Sequence, residues 1–316
     1  MLDKELQTLL KISRRGHYPA FGESGIEQAR ENVKRLSAIT ALPSGEVEKV
    51  ENYNIPANDG PTIAIRMYRP KQATRQLPVL LYFHGGGFVL YDIDDYDSFC
   101  RFIAASAGIV VASVDYRRAP EHRFPSPYAD ALSSLEWLFA NAGPFQIDPG
   151  RIAVGGDSVG GNLAAFLANN IREHGIHLHL QLLIYPVLVF NRPFPSYEKY
   201  GSEYFLDTGM MKWFWDLFSD PSTPMDKDER LHPYLKKDLR NTPPAVIAVA
   251  EYDILRDEAL QYYDRLIQQG NKAALLYFDN LGHNFILLGG RVKACRMAIE
   301  KIAAALQERL LHTSTF

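Results

Sequence analysis

"GGDSVGGN", residues 155–162, sets one serine among four glycines (Gly155, Gly156, Gly160 and Gly161) where the chain changes rhythm. Before it runs "RIAV" (151–154), a short apolar, β-branched stretch; after it runs "LAAFLANNIREHG" (163–175), which reads as helix. Glycine loses more backbone entropy on ordering than other residues and offers no side chain to pack, so it favours neither element. Its concentration around Ser158 marks a tight turn from a strand into a helix.

The same strand-and-helix rhythm extends in both directions. "LPVLLYF" (77–83), "GIVVASVDY" (108–116), "LQLLIYP" (180–186), "PAVIAVA" (244–250) and "KAALLYF" (272–278) are further short apolar runs. Helix-length segments at 95–107, 127–141, 158–174 and 256–269 separate most of them. Near-continuous apolar strands alternating with helices predict a mostly parallel sheet covered on both faces. Ligands in such sheets bind beyond the carboxyl ends of the strands. Ahead of this region, "VEKVENYNI" (47–55) and "TIAIRMYRP" (62–70) alternate at period two around "PANDG", which predicts an antiparallel pair.

Residues 3–13 and 25–39 read as peripheral helices, with apolar faces at Leu6, Leu9 and Leu10 and at Ile26, Ala29, Val33, Leu36 and Ile39. Residues 187–242 interrupt the alternation, and "EYFLDTGMMKWFWDLFSD" (203–220) within them predicts a helix with apolar bulk on nearly every side. The expected organisation is an N-terminal helical part of a cap (1–45), a first catalytic segment (46–186), a cap insertion (187–235) and a second catalytic segment (236–316). A helix over roughly 290–311 closes the chain.

The 316 residues are 47% apolar and 22% charged, with formal charge −3, which fits a globular protein with a large core. A near-neutral balance gives no basic surface for nucleic acid. Cys100 and Cys295 are too few for a disulfide framework and read as free buried thiols. "MLDKELQTLLKISRR" lacks the basic-then-apolar order of a secretory leader, and no run is long enough to cross a bilayer, so the chain reads as cytoplasmic with no membrane partner.

Chemistry concentrates at three places. "GDSVG" (156–160) fits G-x-S-x-G, a sharp turn that lifts a serine hydroxyl out of the sheet beside a helix N-terminus. The plain alternative is a serine N-cap in a glycine-rich turn. "YFHGGGF" (82–88) follows a strand with Gly85, Gly86 and Gly87, a row of accessible backbone N–H groups suited to the charge that develops on a carbonyl oxygen during acyl transfer. Gly86, Gly87 and the N–H of Val159 are the expected oxyanion donors, with His84 and Gly85 supporting the loop. The loop lacks the lysine and Ser/Thr pair of a phosphate cradle.

A serine nucleophile needs a base and an orienting carboxylate. His283, in "YFDNLGHNF" (277–285), lies just past the last strand and is the expected base. His122 is the main competitor; His177 and His179 have metal-pair spacing but no acidic or cysteine partner nearby, so no metal is expected. In "VAEYDILRDE" (249–258), Asp253 follows a strand and is the expected carboxylate, with Asp257 and Asp279 as alternatives. The chain order Ser158, Asp253, His283 is that of an α/β-hydrolase.

With these residues in hand, the chain resembles the hormone-sensitive-lipase-like branch of the α/β-hydrolases, bacterial lipolytic family IV. "HGGGF", "SVDYRRAPEHRFP", "GDSVGGNLA", "AEYDILRDEA" and "LGHNF" occur in the family's order between about residues 65 and 290. The resemblance implies an eight-stranded, mostly parallel sheet, a helical cap, and hydrolysis of short- to medium-chain carboxylic esters by water without a cofactor. It also allows a homodimer. Val159, Ile254 and Asn284 stand where the family usually has Ala, Pro and Gly, and Arg118 stands for a usual Leu, read as a packing or surface variation. Asp115, Tyr116 and Arg117 read as scaffold. Phe21, Phe205, Met210, Met211, Trp213 and Phe214 are the expected substrate-pocket residues. The rival activities for the same residues are acyl transfer to an alcohol and amide hydrolysis; a non-catalytic small-molecule receptor is the rival outside enzymes.

Overall fold

A computed structural model describes residues 1–15, 25–43, 45–71 and 76–311. Its sheet has eight strands: β1 (Val47–Pro56), β2 (Thr62–Pro70), β3 (Leu77–Phe83), β4 (Val110–Asp115), β5 (Ile147–Asp157), β6 (Leu180–Ile184), β7 (Ala245–Tyr252) and β8 (Ala273–Gly282). They lie in the order β1-β2-β4-β3-β5-β6-β7-β8. β1 pairs antiparallel with β2 and β2 with β4, and every remaining pair is parallel. β3 and β6 are buried along their whole length, as strands covered on both faces must be. β1, at the sheet edge, is mostly exposed or half-buried.

Around the sheet lie α1 (Lys4–Arg15), α2 (Ile26–Thr40), α3 (Asp97–Ala107), α4 (Ser126–Ala140), α5 (Val159–Asn170), α6 (Pro195–Tyr200), α7 (Thr208–Phe218), α8 (Arg256–Gln268) and α9 (Lys293–Leu311). Cys100 in α3 and Cys295 in α9 are free and buried. Among the described residues no helix is long and apolar enough to cross a membrane.

Three strand ends decide where chemistry is possible. β5 ends at Asp157, β7 at Tyr252 and β8 at Gly282, so Ser158, Asp253 and His283 are each the first residue beyond a parallel strand. β7 runs two residues farther than the apolar pattern "PAVIAVA" indicates, because the pairing resumes at Tyr252 beyond Glu251, both with only half-buried side chains. A register shift between Ala250 and Tyr252 brings Tyr252 opposite Gly282, which sets the two loops side by side.

The insertion differs from the sequence expectation. Its main helix covers Thr208–Phe218 rather than 203–220, because Asp207 caps it by accepting a bond from the Met210 N–H at 2.7 Å. The short α6 precedes it. In α2, Ala29 and Val33 are buried, but Leu36 and Ile39 are 47% and 59% exposed, so the inward face is narrower than its apolar spacing. Val33 and Leu36 instead face a cavity.

The turn between β5 and α5 is tight enough to demand glycine. A Cβ on Gly160 would lie 1.9 Å from the Phe83 carbonyl oxygen, and one on Gly156 would lie 2.3 Å from the Gly160 carbonyl carbon. Both obstacles are backbone at the centre of the fold and have no room to retreat. G160A is therefore expected to destabilise the protein by about 2 kcal/mol or more, measured by denaturant unfolding. G143A is the control, since nothing lies within 4 Å of its added methyl group; equal stabilities for the two variants would contradict this packing.

Candidate active site

Ser158 has φ 55° and ψ −119°, a backbone conformation that non-glycine residues rarely hold. Neighbouring bonds fix it there. The Ser158 N–H donates to the Ile184 carbonyl at 2.9 Å, while its own carbonyl accepts from Asn162 N–H at 3.2 Å and Val187 N–H at 3.0 Å. The hydroxyl thus stands above the end of β5, at the N-terminus of α5, where unpaired N–H groups favour negative charge. The N-cap alternative fails, because the Ser158 side chain makes no capping bond to α5.

His283 and Asp253 meet across the ends of β8 and β7. His283 Nδ1 donates to Asp253 Oδ2 at 2.7 Å, and Asp253 Oδ1 accepts from the Leu255 N–H at 2.9 Å. With the proton on Nδ1, the lone pair lies on Nε2, the form a general base requires. Both residues are buried, and His283 lines the same cavity as Ser158. Asn284, in the usual glycine position, adopts φ 63°, a left-handed conformation that asparagine tolerates. Ile254 is fully buried.

The alternatives lie elsewhere. Asp257 accepts from the Ser196 N–H and pairs with Arg256; Asp279 and His122 are exposed. His177 and His179 are exposed at the approach to β6, the opposite end of the sheet from Ser158. Among the described residues no group of three or more His, Cys, Asp or Glu side chains is arranged to hold a metal ion.

Opposite the serine, the loop after β3 carries Gly86 at φ 101° and Gly87 at φ 65°. Both line the cavity together with Val159. His84 supports this loop: its Nδ1 donates to the Gly85 carbonyl at 2.8 Å, and its ring stacks on Tyr116 at 4.3 Å. Burial pushes the His84 imidazole down to about 3, so it stays neutral and serves as a fixture rather than a proton carrier. Tyr116 donates to the His84 carbonyl, and Arg117 pairs with Asp130 and Asp59, as scaffold. Arg118 is not a surface variation: its guanidinium donates to the Tyr91 carbonyl beside the cavity.

The cavity holds about 150 Å³. Phe205, Met210, Met211 and Phe214 line it, whereas Trp213 is not among the lining residues and packs against Phe214, with ring centroids 5.2 Å apart. Phe21 lies outside the described residues. Val33 and Leu36 of α2, Leu90, Tyr91, Val187, Leu206 and Trp215 also contribute, and among the described residues no Asp, Glu, Lys or Arg side chain lines the space. Apolar residues in α2 and α7 were visible in the sequence, but which faced the site depended on helix docking.

Comparison with known proteins agrees with this geometry. Residues 80–287 match the model of a family described as alpha/beta hydrolase fold. An ethyl acetate hydrolase of Pseudomonas putida is 36% identical over 290 residues, covering 90% of each chain. A Pyrobaculum calidifontis esterase superimposes with a TM-score of 0.89 at 35% identity, over 98% of this chain and 99% of its own. An ester hydrolase from the metagenome of Lake Arreo, solved with a bipyridine phosphonate derivative, gives a TM-score of 0.93 at 35% identity, over 97% and 98%. This chain belongs to the alpha/beta hydrolase fold family. Its serine, histidine and aspartate stand in the chain order of that fold.

The carboxylate assignment separates three candidates that sequence leaves open. D253N is expected to retain the fold and to slow ester turnover by roughly 10⁴-fold, the loss this substitution causes in another serine-hydrolase triad. D257N and D279N are expected to lose far less. Circular dichroism and kcat for the three variants side by side check this; a larger loss in either of the last two would reassign the role.

Proposed function

We infer that Ser158 is the acyl-carrying nucleophile, His283 its general acid and base, and Asp253 the carboxylate that orients the imidazole. The observation that carries this reading is the 2.7 Å His283–Asp253 bond at the wall of the cavity that also holds Ser158. The enzyme is a serine hydrolase that cleaves small carboxylic esters. His283 Nε2 takes the Ser158 proton as the oxygen attacks the ester carbonyl. The N–H groups of Gly86, Gly87 and Val159 receive the oxyanion. His283 then protonates the leaving alcohol, water attacks the acyl-serine with help from the same imidazole, and the carboxylic acid leaves.

The finer place within the superfamily is the hormone-sensitive-lipase-like branch, supported by "HGGGF" and "GDSVGGNLA" in this order. We divide the chain into a catalytic body and a cap formed by residues 1–45 and 187–235, a division supported by Val33, Leu36, Met210, Met211 and Phe214 together lining the cavity. A cytoplasmic location is supported by the two buried free thiols.

The substrate follows from size and charge. The cavity is well below the roughly 300–1,000 Å³ that drug-sized ligands occupy, and its side-chain walls are mainly apolar. Neutral esters with short acyl chains fit this description, in keeping with the name of the Pseudomonas putida relative. Each buried methylene contributes about 0.8 kcal/mol until the wall is met. Across p-nitrophenyl esters, kcat/KM is expected to rise from acetyl to a maximum at butanoyl or hexanoyl and to fall steeply by palmitoyl. A maximum at lauroyl or beyond, or activation at an oil–water interface, would shift the reading to a lipase.

A phosphonate ester tests the nucleophile. It is expected to add one covalent group to the wild-type protein and none to S158A, with turnover lost in parallel. Mass spectrometry checks the result, and attachment at another serine would remove Ser158 from the mechanism.

A further inference from the structure

The residue before the nucleophile has no place in the acyl-transfer cycle, yet it is among the most constrained in the molecule. Asp157 is fully buried. Its Oδ1 accepts from the Tyr82 hydroxyl at 2.8 Å and the Gly85 N–H at 2.9 Å. Its Oδ2 accepts from the Tyr96 hydroxyl at 2.8 Å and the Tyr185 hydroxyl at 3.5 Å. These donors come from β3, the glycine loop, the approach to α3 and the exit of β6. Every one of them suits an ionised carboxylate, and none needs a proton from Asp157.

Two consequences follow from this arrangement. The Gly85 bond ties the loop bearing Gly86 and Gly87 to the strand that presents Ser158. A Cβ on Gly85 would lie 2.4 Å from Asp157 Oδ2, so loop and carboxylate are in direct contact. Tyr185, which touches Asp157 through its hydroxyl, also places its ring 4.5 Å from the His283 imidazole, centroid to centroid. Asp157 thus lies one aromatic side chain away from the base, and a positive charge on His283 favours its ionised form.

We propose that Asp157 is a positioning residue of this site: its buried carboxylate fastens the oxyanion loop to the nucleophile turn and, as a second anion beside Asp253, strengthens the proton affinity of His283. The proposal rests on the esterase reading above. The groups facing this carboxylate are Tyr82, Tyr91, Tyr96, Tyr116, Tyr185, Cys100 and His283. Burial raises all five phenols and the thiol far above neutrality, so they stay uncharged while an esterase works. The carboxylates placed near the imidazole are Asp253, bonded to it, and Asp157, one tyrosine ring away. Burial also pushes Asp157 up to about 6, against the pull of its tyrosine donors and the His283 charge.

The sign is fixed by electrostatics. Removing an anion near an imidazole destabilises the imidazolium, so the base stays neutral to lower pH and the acid limb of kcat/KM moves down. D157N deletes the charge while its amide oxygen can still accept from Gly85 and Tyr82. It is expected to shift the acid midpoint down by roughly 0.5 unit or more, with a plateau kcat reduced less than roughly tenfold. D157A deletes the fastening as well, and its kcat is expected to fall by roughly 100-fold with KM changed far less. A purely structural anchor would lower melting temperature and kcat in both variants without moving the acid midpoint.

The experiment is a pH profile of kcat and KM for wild type, D157N and D157A, with the rate of phosphonate attachment to Ser158 followed over the same pH range. Y96F removes one donor without replacing Asp157, raises the pH at which the carboxyl protonates, and should move the midpoint in the same direction if either Asp157 variant fails to fold. Coincident midpoints for wild type and a folded D157N, or for wild type and Y96F if D157N does not fold, would overturn the proposal, as would a wild-type kcat in D157A. A wild-type protein with neither turnover nor phosphonate attachment would refute the esterase reading itself, a different outcome.

Discussion

The structure turns on the close approach of three backbones: the end of β3 at Phe83, the end of β5 at Gly156 and the start of α5 at Gly160. Only with these in contact does the chain leave the sheet abruptly enough to raise Ser158 above it. The strained Ser158 backbone, of a kind that costs about 1–3 kcal/mol, is held by bonds to Ile184, Asn162 and Val187. The bonds to Ile184 and Val187 exist because β6 lies beside β5 in parallel register, with Ile184 opposite Asp157, and the bond to Asn162 is the first turn of α5. The sheet core around Leu80, Val154 and Leu182, all fully buried, provides the stability that such a turn subtracts.

Positive φ angles gather around the same point. Gly86, Gly87, Phe88, Tyr91, Ser158, Tyr185 and Asn284 all adopt them, and five of the seven carry side chains. Such strain persists where surrounding contacts over-determine the geometry. Phe88 stacks on Phe218 at 4.2 Å, Tyr185 packs on His283 and Phe285, and Arg118 holds the Tyr91 carbonyl. Preorganised donors stabilise developing charge because they need no reorganisation during reaction. The aromatic packing around the glycine loop is thus part of how the site is kept ready, although none of those rings reacts.

Much of this was legible in the sequence for a physical reason. Short β-branched apolar runs that alternate with helix-length segments mark strands buried on both faces, and ligands in this architecture bind beyond the strand ends. Ser158, Asp253 and His283 are therefore expected just past strands, where the structure places them. Pairings created by folding were less accessible. Trp213 and Phe214 are adjacent in an aromatic run, yet helical rotation turns only Phe214 to the cavity. Leu36 has the spacing of a core residue but meets the cavity, because the docking of α2 rather than its periodicity sets which face is covered. Arg118 finds its carbonyl partner 27 positions away, a contact without a local signal.

Three carboxyl groups buried near one another show how partners and burial together decide what an acid does here. Asp253 bonds an imidazole N–H and a backbone N–H, which suits it to orient a base. Asp157 is surrounded by hydroxyl donors and one N–H, and these oppose the upward push of burial. Glu258 accepts from the Leu188 N–H at the start of the insertion, and burial, reinforced by the charge of Asp253, raises it well above the ordinary carboxylate range. Glu258 thus fastens the insertion through a backbone N–H, while Asp253, whose partners are an imidazole and a backbone N–H, is left to serve the histidine.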